Sequence, residues 1–505
     1  MRLTVLALAV SISLTACGGG GGSAVTPVPT PSPAPVPMPS PAPAPTQTAV
    51  TFTNVSVHDP AVIKVDATWY VFGSHLAAAK STDLMNWTKI ADGVTAANPL
   101  FNNVVTALAD TFAWAQVTDL WAPDVIKLDD GKFYMYYNAC KGDSPRSALG
   151  FAVADKVEGP YTNKQILLKS GMWDQISNDG TIYDARIHPN TVDPTTLRDK
   201  DGALWMVYGS YSGGIFILAM DKATGLPKPG QGYGKHLMGG NHARIEGGYI
   251  MYSAQSAYYY LFTSFGGLDA NGGYNLRVSR SRNPDGPFVD AKGTDMATVK
   301  ANRALPLFDD ASVAPHGQKL MGNYQFALAA GESGTPVGYV SPGHNSAHYD
   351  AASGKYFILF HTRFPGTGEA HELRVHEMFI NEDGWPVVAP FRYAPLPLAA
   401  PTMTVTVTAA DAAGTYKMIN HGKDISTSVK SSQAIKLASD GTVSGAATGS
   451  WAHKGGNNVG ITLTGAGTFH GVLSRQWNAN ANAFVVTFTA QSVDGVSIWG
   501  ARSGH

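Results

Sequence analysis

"HDPAVIKVDATWYVFGS", residues 58–74, sets an acid before a proline and then two short apolar runs around a turn. Four further stretches share this plan: "APDVIKLDDGKFYMYYN" (122–138), "VDPTTLRDKDGALWMVYGS" (192–210), "EGGYIMYSAQSAYYYLFTS" (246–264) and "GHNSAHYDAASGKYFILFHT" (343–362). Each opens on a polar or acidic residue, passes through a short strand pattern and a turn, and ends in a run rich in Tyr, Phe, Trp, Val and Leu. Several turns are DG or SG, residues that tolerate positive φ and close tight hairpins. "VEGPYT" (157–162) and "PDGPFVD" (284–290) follow two of the repeats and read as outer strands. Five repeats between residues 50 and 397 predict a radial array of four-stranded blades, a five-bladed β-propeller, over a large sandwich of hairpins.

In such a wheel the innermost strands run beside a central axis and their starts converge at one end. Asp59, Asp124, Asp193 and Glu246 occupy those starts, so acids distant in sequence are expected to meet in one cleft. For Asp124, which follows a proline in "WAPDV", a strand cap is the better reading. Clustered carboxylates are costly, because like charges repel and burial disfavours ionisation. Two chemistries use such clusters: acid–base attack on a glycosidic bond, and binding of a hard cation such as calcium.

The rest of the chain agrees with an all-β protein. It has 505 residues, 55 glycines, 31 prolines and 10% aromatic residues, a turn-rich composition, and its length implies two or more domains. The formal net charge of -1 offers no basic surface for nucleic acid.

"MRLTVLALAVSISLTAC" (1–17) carries one cation, Arg2, then an apolar run too short to span a bilayer, then small residues, the pattern of an export signal. Leu14-Thr15-Ala16-Cys17 looks like a bacterial lipobox, with Cys17 as the lipidation site and a membrane anchor through it; the alternative is a secreted protein. If Cys17 is acylated, Cys140 has no disulfide partner in the chain. Residues 18–49 are Gly- and Pro-rich and favour extended polyproline II, a spacer between anchor and globular part.

With "HDP", "WAPDV", "NTVDP", "RIEGGYIMYS" and "YVSPGHNSAHYD…GKYFILFHTRFPG…HELRVHEMFINEDGWPVVAPFRY" in this order, the chain resembles the family-43 glycoside hydrolases, and among them the two-domain endo-α-1,5-L-arabinanases. The resemblance covers about residues 50 to 505. It implies an inverting hydrolase of internal α-1,5-L-arabinofuranosyl bonds of arabinan. Asp59 matches the general base that activates water, and Glu246 the general acid that protonates the leaving oxygen. Asp193 matches a third acid whose charge raises the pKa of the donor. An exo-acting arabinofuranosidase or a xylosidase on the same fold, and an arabinan-binding surface protein without activity, remain open. The chain is read as a monomer.

The resemblance also assigns Asn190 and the "GSYS" segment, with Ser210, Tyr211 and Ser212, to the sugar site. Trp121 is a candidate to stack on a furanose ring, and the loop "CKGDSPRS" (140–147), with Gly142, is expected to face the cleft. His344 and His348 have an H-x3-H spacing, yet the surroundings read as strand, where residues four apart lie about 13 Å apart; a zinc site of that kind is disfavoured. In the resembling enzymes the histidine matching His344 helps hold a hydrated calcium ion at the channel, so a calcium ion is expected there. His348, His361, His371 and His376 are expected to be structural or solvent-facing. Residues 402–505 alternate short Thr, Val and Ile runs with Gly, Asn and Asp turns and predict a C-terminal domain, a small β-barrel or β-sandwich.

Overall fold

The computed structural model describes residues 50–397 and 405–503; Cys17, with the export signal and the Pro-rich spacer, lies outside the described residues. Blade one is built from Ala61–Val65, Thr68–Gly73, Ala77–Ser81 and Thr88–Ala91, and blade two from Trp121–Lys127, Phe133–Cys140, Ser147–Ala154 and Thr162–Lys169. Blade three comprises Thr195–Arg198, Leu204–Tyr208, Ile215–Met220 and Lys235–Met238; blade four comprises Ile245–Ser253, Tyr258–Phe265, Asn275–Ser281 and Gln318–Met321. Blade five runs Gly338–Asp350, Lys355–Arg363, His371–Ile380 and Pro386–Val388. All are antiparallel meanders, with the first strand innermost. The five first strands touch their neighbours in a closed ring.

The apolar runs fill both sides of each blade, as strands buried on two faces must. In "FYMYYN", Phe133, Met135 and Tyr137 pack toward Phe72 and Ala78 of blade one. The alternate residues Tyr134 and Tyr136 pack toward Met206 and Tyr208 of blade three. The same alternation sends Leu261 toward blade three and Tyr260 and Phe262 toward blade five. The ring closes where Trp69 and Val71 meet Phe357 and Leu359, with Leu373 N donating to Val55 O at 2.9 Å and Lys64 paired to Asp350 at 2.6 Å.

Two outer-strand expectations differ from the structure. "PDGPFVD" makes only isolated bridges, through Val289 to Arg280 and Asp295, and the outer strand of blade four is Gln318–Met321. "VEGPYT" is the approach to the outer strand Thr162–Lys169, not the strand itself. Pro160 and Pro287 have no N–H to give to a ladder, which excludes both segments from regular pairing.

The C-terminal domain is a closed eight-stranded barrel from Gly414–Asn420 to Ser497–Ser503, so the barrel alternative holds and the sandwich does not. Tyr416, Trp451, Phe469 and Phe488 fill its interior. Its short strand Lys430–Ser431 pairs in parallel with Tyr324–Gln325, which in turn joins the inner strand of blade five. Trp499, Val485 and Ala501 of the barrel belong to the same core as Tyr260, Tyr324 and Phe360 of the propeller.

Candidate active site

Asp59 precedes Pro60 at the entry to the inner strand of blade one, and Asp193 precedes Pro194 at the matching point of blade three. Both adopt left-handed backbone, φ 54° and 56°, a conformation that is unfavourable for non-glycine residues and concentrates at functional sites. Glu246 opens the inner strand of blade four. All three are buried, at 7%, 6% and 9% exposure. Blade two has Ala122 before its proline, and its acid, Asp124, comes after. Asp124 therefore points away from the cleft: it accepts from Thr196 N at 2.8 Å and Thr196 Oγ1 at 2.5 Å. The expected gathering of four acids is a gathering of three, and Asp124 is a blade-to-blade cap whose burial lifts its pKa to about 6.

Each of the three acids has a distinct setting. His58 Nδ1 lies 2.8 Å from Asp59 Oδ2, and His344 Nδ1 lies 3.3 Å from Oδ1. Ser74 Oγ also donates to Asp59 Oδ2 and accepts from Ala122 N at 2.9 Å, linking blades one and two through the carboxylate. Burial alone would raise the pKa of Asp59; the close imidazoles of His58 and His344 instead hold it well below the ordinary range. Asp193 is pushed well above that range by burial first, then by the charges of Glu246 and Asp59. Glu246 is held at both oxygens, by Ser210 Oγ at 2.7 Å and Tyr274 Oη at 2.6 Å.

Asp193 and Glu246 line a cleft together with Trp121, Gly142, Asn190, Ser210, Tyr211 and Ser212, so every residue read as a sugar contact is in its wall. Cys140, Asp143, Ser144 and Pro145 of the "CKGDSPRS" loop line it too. Trp121 is fixed by Nε1 donating to Cys140 O at 3.1 Å, and Asn190 Oδ1 accepts from Ser147 Oγ at 2.5 Å. Asp59 and His344 line a second, axial cavity to which inner strands of all five blades contribute, through Ala61, Pro123, Thr195, Tyr249 and Asn345.

Three contributors escaped the sequence reading. His361, expected to be structural or solvent-facing, is fully buried and accepts from Asp59 N at 3.1 Å through Nδ1. Its ring stacks on His58 at 3.7 Å, and His371 meets His58 edge-on at 4.9 Å. Tyr274 and Ser74 are the other two. The only usable signal was the hydroxyl that ends several repeats: Ser74, Ser210 and Ser264 each bond to an inner-strand entry, Ser264 Oγ accepting from His344 N at 2.8 Å.

Comparison with known proteins agrees with this geometry. Residues 51–317 match the family described as glycosyl hydrolases family 43, and residues 390–500 match a C-terminal lipocalin-like domain. Extracellular endo-alpha-(1->5)-L-arabinanase 2 of Bacillus subtilis is 56% identical over 89% of this chain and 94% of its own. An extracellular endo-alpha-(1->5)-L-arabinanase of Thermotoga petrophila is 48% identical over 90% of this chain and 94% of its own. Among solved structures, a family-43 glycoside hydrolase from Bacillus licheniformis superposes with a TM-score of 0.85 at 57% identity, covering 90% of this chain and all (100%) of that one. Three buried acids at inner-strand entries of a five-bladed wheel, with likeness of this extent across both domains, establish that the chain belongs to glycosyl hydrolases family 43.

Proposed function

We propose that this protein is an inverting endo-α-1,5-L-arabinanase that acts outside the cytoplasm. The observation that carries the reading is the trio Asp59, Asp193 and Glu246 in a chain similar throughout its folded length to extracellular endo-arabinanases. In the reaction, the Asp59 carboxylate takes a proton from water as the water oxygen attacks the anomeric carbon. Glu246 gives a proton to the glycosidic oxygen as that bond breaks. Asp193 positions the donor. Attack from the face opposite the leaving group inverts the anomeric centre. Ser210 and Tyr274 fix the Glu246 carboxyl, so the proton is delivered in one direction.

The test is hydrolysis of linear arabinan, with product lengths followed over time and the anomer of fresh product read by NMR. Internal cleavage gives mixed oligosaccharides at early times; release of single arabinose units alone would make the enzyme exo-acting. Glu246→Gln and Asp59→Asn should each lose at least roughly 10²-fold, the scale of general acid–base contributions. Near-wild-type activity in either would remove that residue's role.

A calcium ion at the axial cavity is part of this proposal. Asn345 Oδ1 and Ser346 Oγ are buried there without hydrogen-bond partners, and oxygen ligands suit calcium. His344 would hold the ion through one imidazole nitrogen. The ion's charge would offset repulsion among the three acids. His344→Ala should fold, lose calcium in elemental analysis and lose most activity; full calcium content with full activity would leave His344 a core histidine.

The extracellular relatives support export, and Cys17 is the proposed lipid anchor. Cys17→Ser should move the protein out of the membrane fraction or block its processing. Unchanged partition and processing would rule the anchor out.

A further inference from the structure

Blade four is interrupted by a long excursion between its third strand, ending at Ser281, and its fourth, starting at Gln318. Within it, "NRALPLFDD" (302–310) holds three large apolar side chains in solvent: Leu305 at 46%, Leu307 at 64% and Phe308 at 48% exposure. Phe308 has a φ of 66°, a left-handed conformation that a bulky L-residue adopts only where its surroundings impose it. The surroundings do so from both sides. Asp309 Oδ2 accepts from Asn302 N at 3.2 Å, closing the loop on itself. Asp310 accepts from Arg244 Nε at 3.0 Å, and Arg244 stands two residues before Glu246. Arg303 Nε donates to Asn241 Oδ1 at 2.7 Å. The loop is thus anchored to the segment that carries the catalytic acid, while the aromatic ring it presents stays half in water.

That ring lines the same cleft as Asp193 and Glu246, beside Leu268 and His242. It meets Tyr211 edge-on, centroids 5.8 Å apart. Among the described contacts it has none with the three acids. Packing does not account for the arrangement, because the ring is left exposed. A ligand in the cleft would account for it. A furanose ring offers a C–H face to an aromatic platform and hydroxyls to a neighbouring imidazole, the mix of apolar wall and few polar groups that sugar-sized sites use.

We propose that Phe308, with Tyr211, Leu268 and His242, forms a furanose-binding subsite in the cleft wall, with Phe308 out of contact with the three acids, that sets the preference for long chains. The inference rests on the arabinanase reading and deepens it. Its test is kcat/KM on linear arabino-oligosaccharides of three and eight units, for wild type, Phe308→Ala and Phe308→Tyr. Phe308→Ala should lose roughly tenfold on the eight-unit substrate, about what loss of one well-packed aromatic contact removes, and a clearly smaller factor on the three-unit one. Phe308→Tyr should restore most of the difference. Equal losses at both lengths, or no loss on the longer substrate, would overturn the subsite. If Phe308→Ala misfolds, comparison of Phe308→Leu with Phe308→Tyr carries the same test, since only the latter keeps a platform. Failure of the wild type to cleave either substrate would instead overturn the arabinanase reading.

Discussion

Ser74 shows how much of this site depends on single atoms. Its hydroxyl donates a hydrogen bond to Asp59 and accepts one from Ala122 N, so one oxygen orients the proposed base and satisfies a buried amide of the next blade. Ser74→Ala breaks both bonds. Leaving a buried N–H unpaired costs about 1–3 kcal/mol, and freeing the carboxylate to rotate should lower kcat by about tenfold, since a positioned base contributes two orders or more. Thermal unfolding and steady-state kinetics on the same variant separate the two effects. A loss of stability with unchanged kcat would make Ser74 a blade clamp and nothing more. His361 works from the other side, accepting the backbone N–H of Asp59 and so holding the residue in its left-handed conformation.

At the level of the element, inner-strand entries decide what meets at the axis. Gly343 precedes His344, and a Cβ there would come within 1.9 Å of the Tyr274 ring. The glycine is what lets Tyr274 lie flat enough to reach Glu246. Gly343→Ala should cost roughly 1–3 kcal/mol by overpacking and reduce activity disproportionately, because the displaced ring is the one that holds the acid. Melting temperature and kcat measured together check this, and a variant with normal kcat would show that Tyr274 has room to spare. The repeated strand–turn–strand units were legible because two-sided burial writes near-continuous apolar runs, and because Asp130-Gly131 and Asp201-Gly202 close hairpins. Asp59 and Asp193 were legible from the Asp-Pro step. Asp124 was legible as a strand cap, because one position relative to proline separates a cleft acid from a cap. Tyr274 and His361 were not legible: Tyr274 comes from a loop between the second and third strands of its blade, His361 from a second strand whose partner lies in another blade, and no spacing marks such pairs. The outer strand of blade four was missed because a long excursion separates it from its repeat.

For the whole molecule, the barrel is part of the propeller's core. Trp499 is fully buried and packs edge-on against Tyr324 and His421 at 5.1 Å and 4.3 Å. Arg277, also fully buried in the propeller, donates to Ala314 O and His316 O at 2.6 Å and, across the interface, to Lys423 O at 2.7 Å. Lys319 Nζ donates to His421 O at 2.9 Å and Asp424 O at 2.6 Å. Without the barrel Arg277 would lose one of its three carbonyl partners and Lys319 both of these, and the apolar surface around them would be opened to water. Trp499→Ala should destabilise by about 3–5 kcal/mol, and a chain ended after residue 397 should be insoluble or poorly folded. Calorimetry of the intact protein should give one transition for both domains. A truncated propeller with the melting temperature of the full chain would show the two to be independent.

The ring seam has a further consequence in time. Asp59 is held by a histidine 302 positions away, and the seam itself is tied by Val55 to Leu373. A ribosome that has made the first four blades has therefore made a chain whose base has neither His344 nor His361 beside it. Hydrolytic competence arrives only with the fifth blade. An exported chain of this design carries no working site while it is being synthesised or threaded, and the return of activity during refolding reports the closing of the circle.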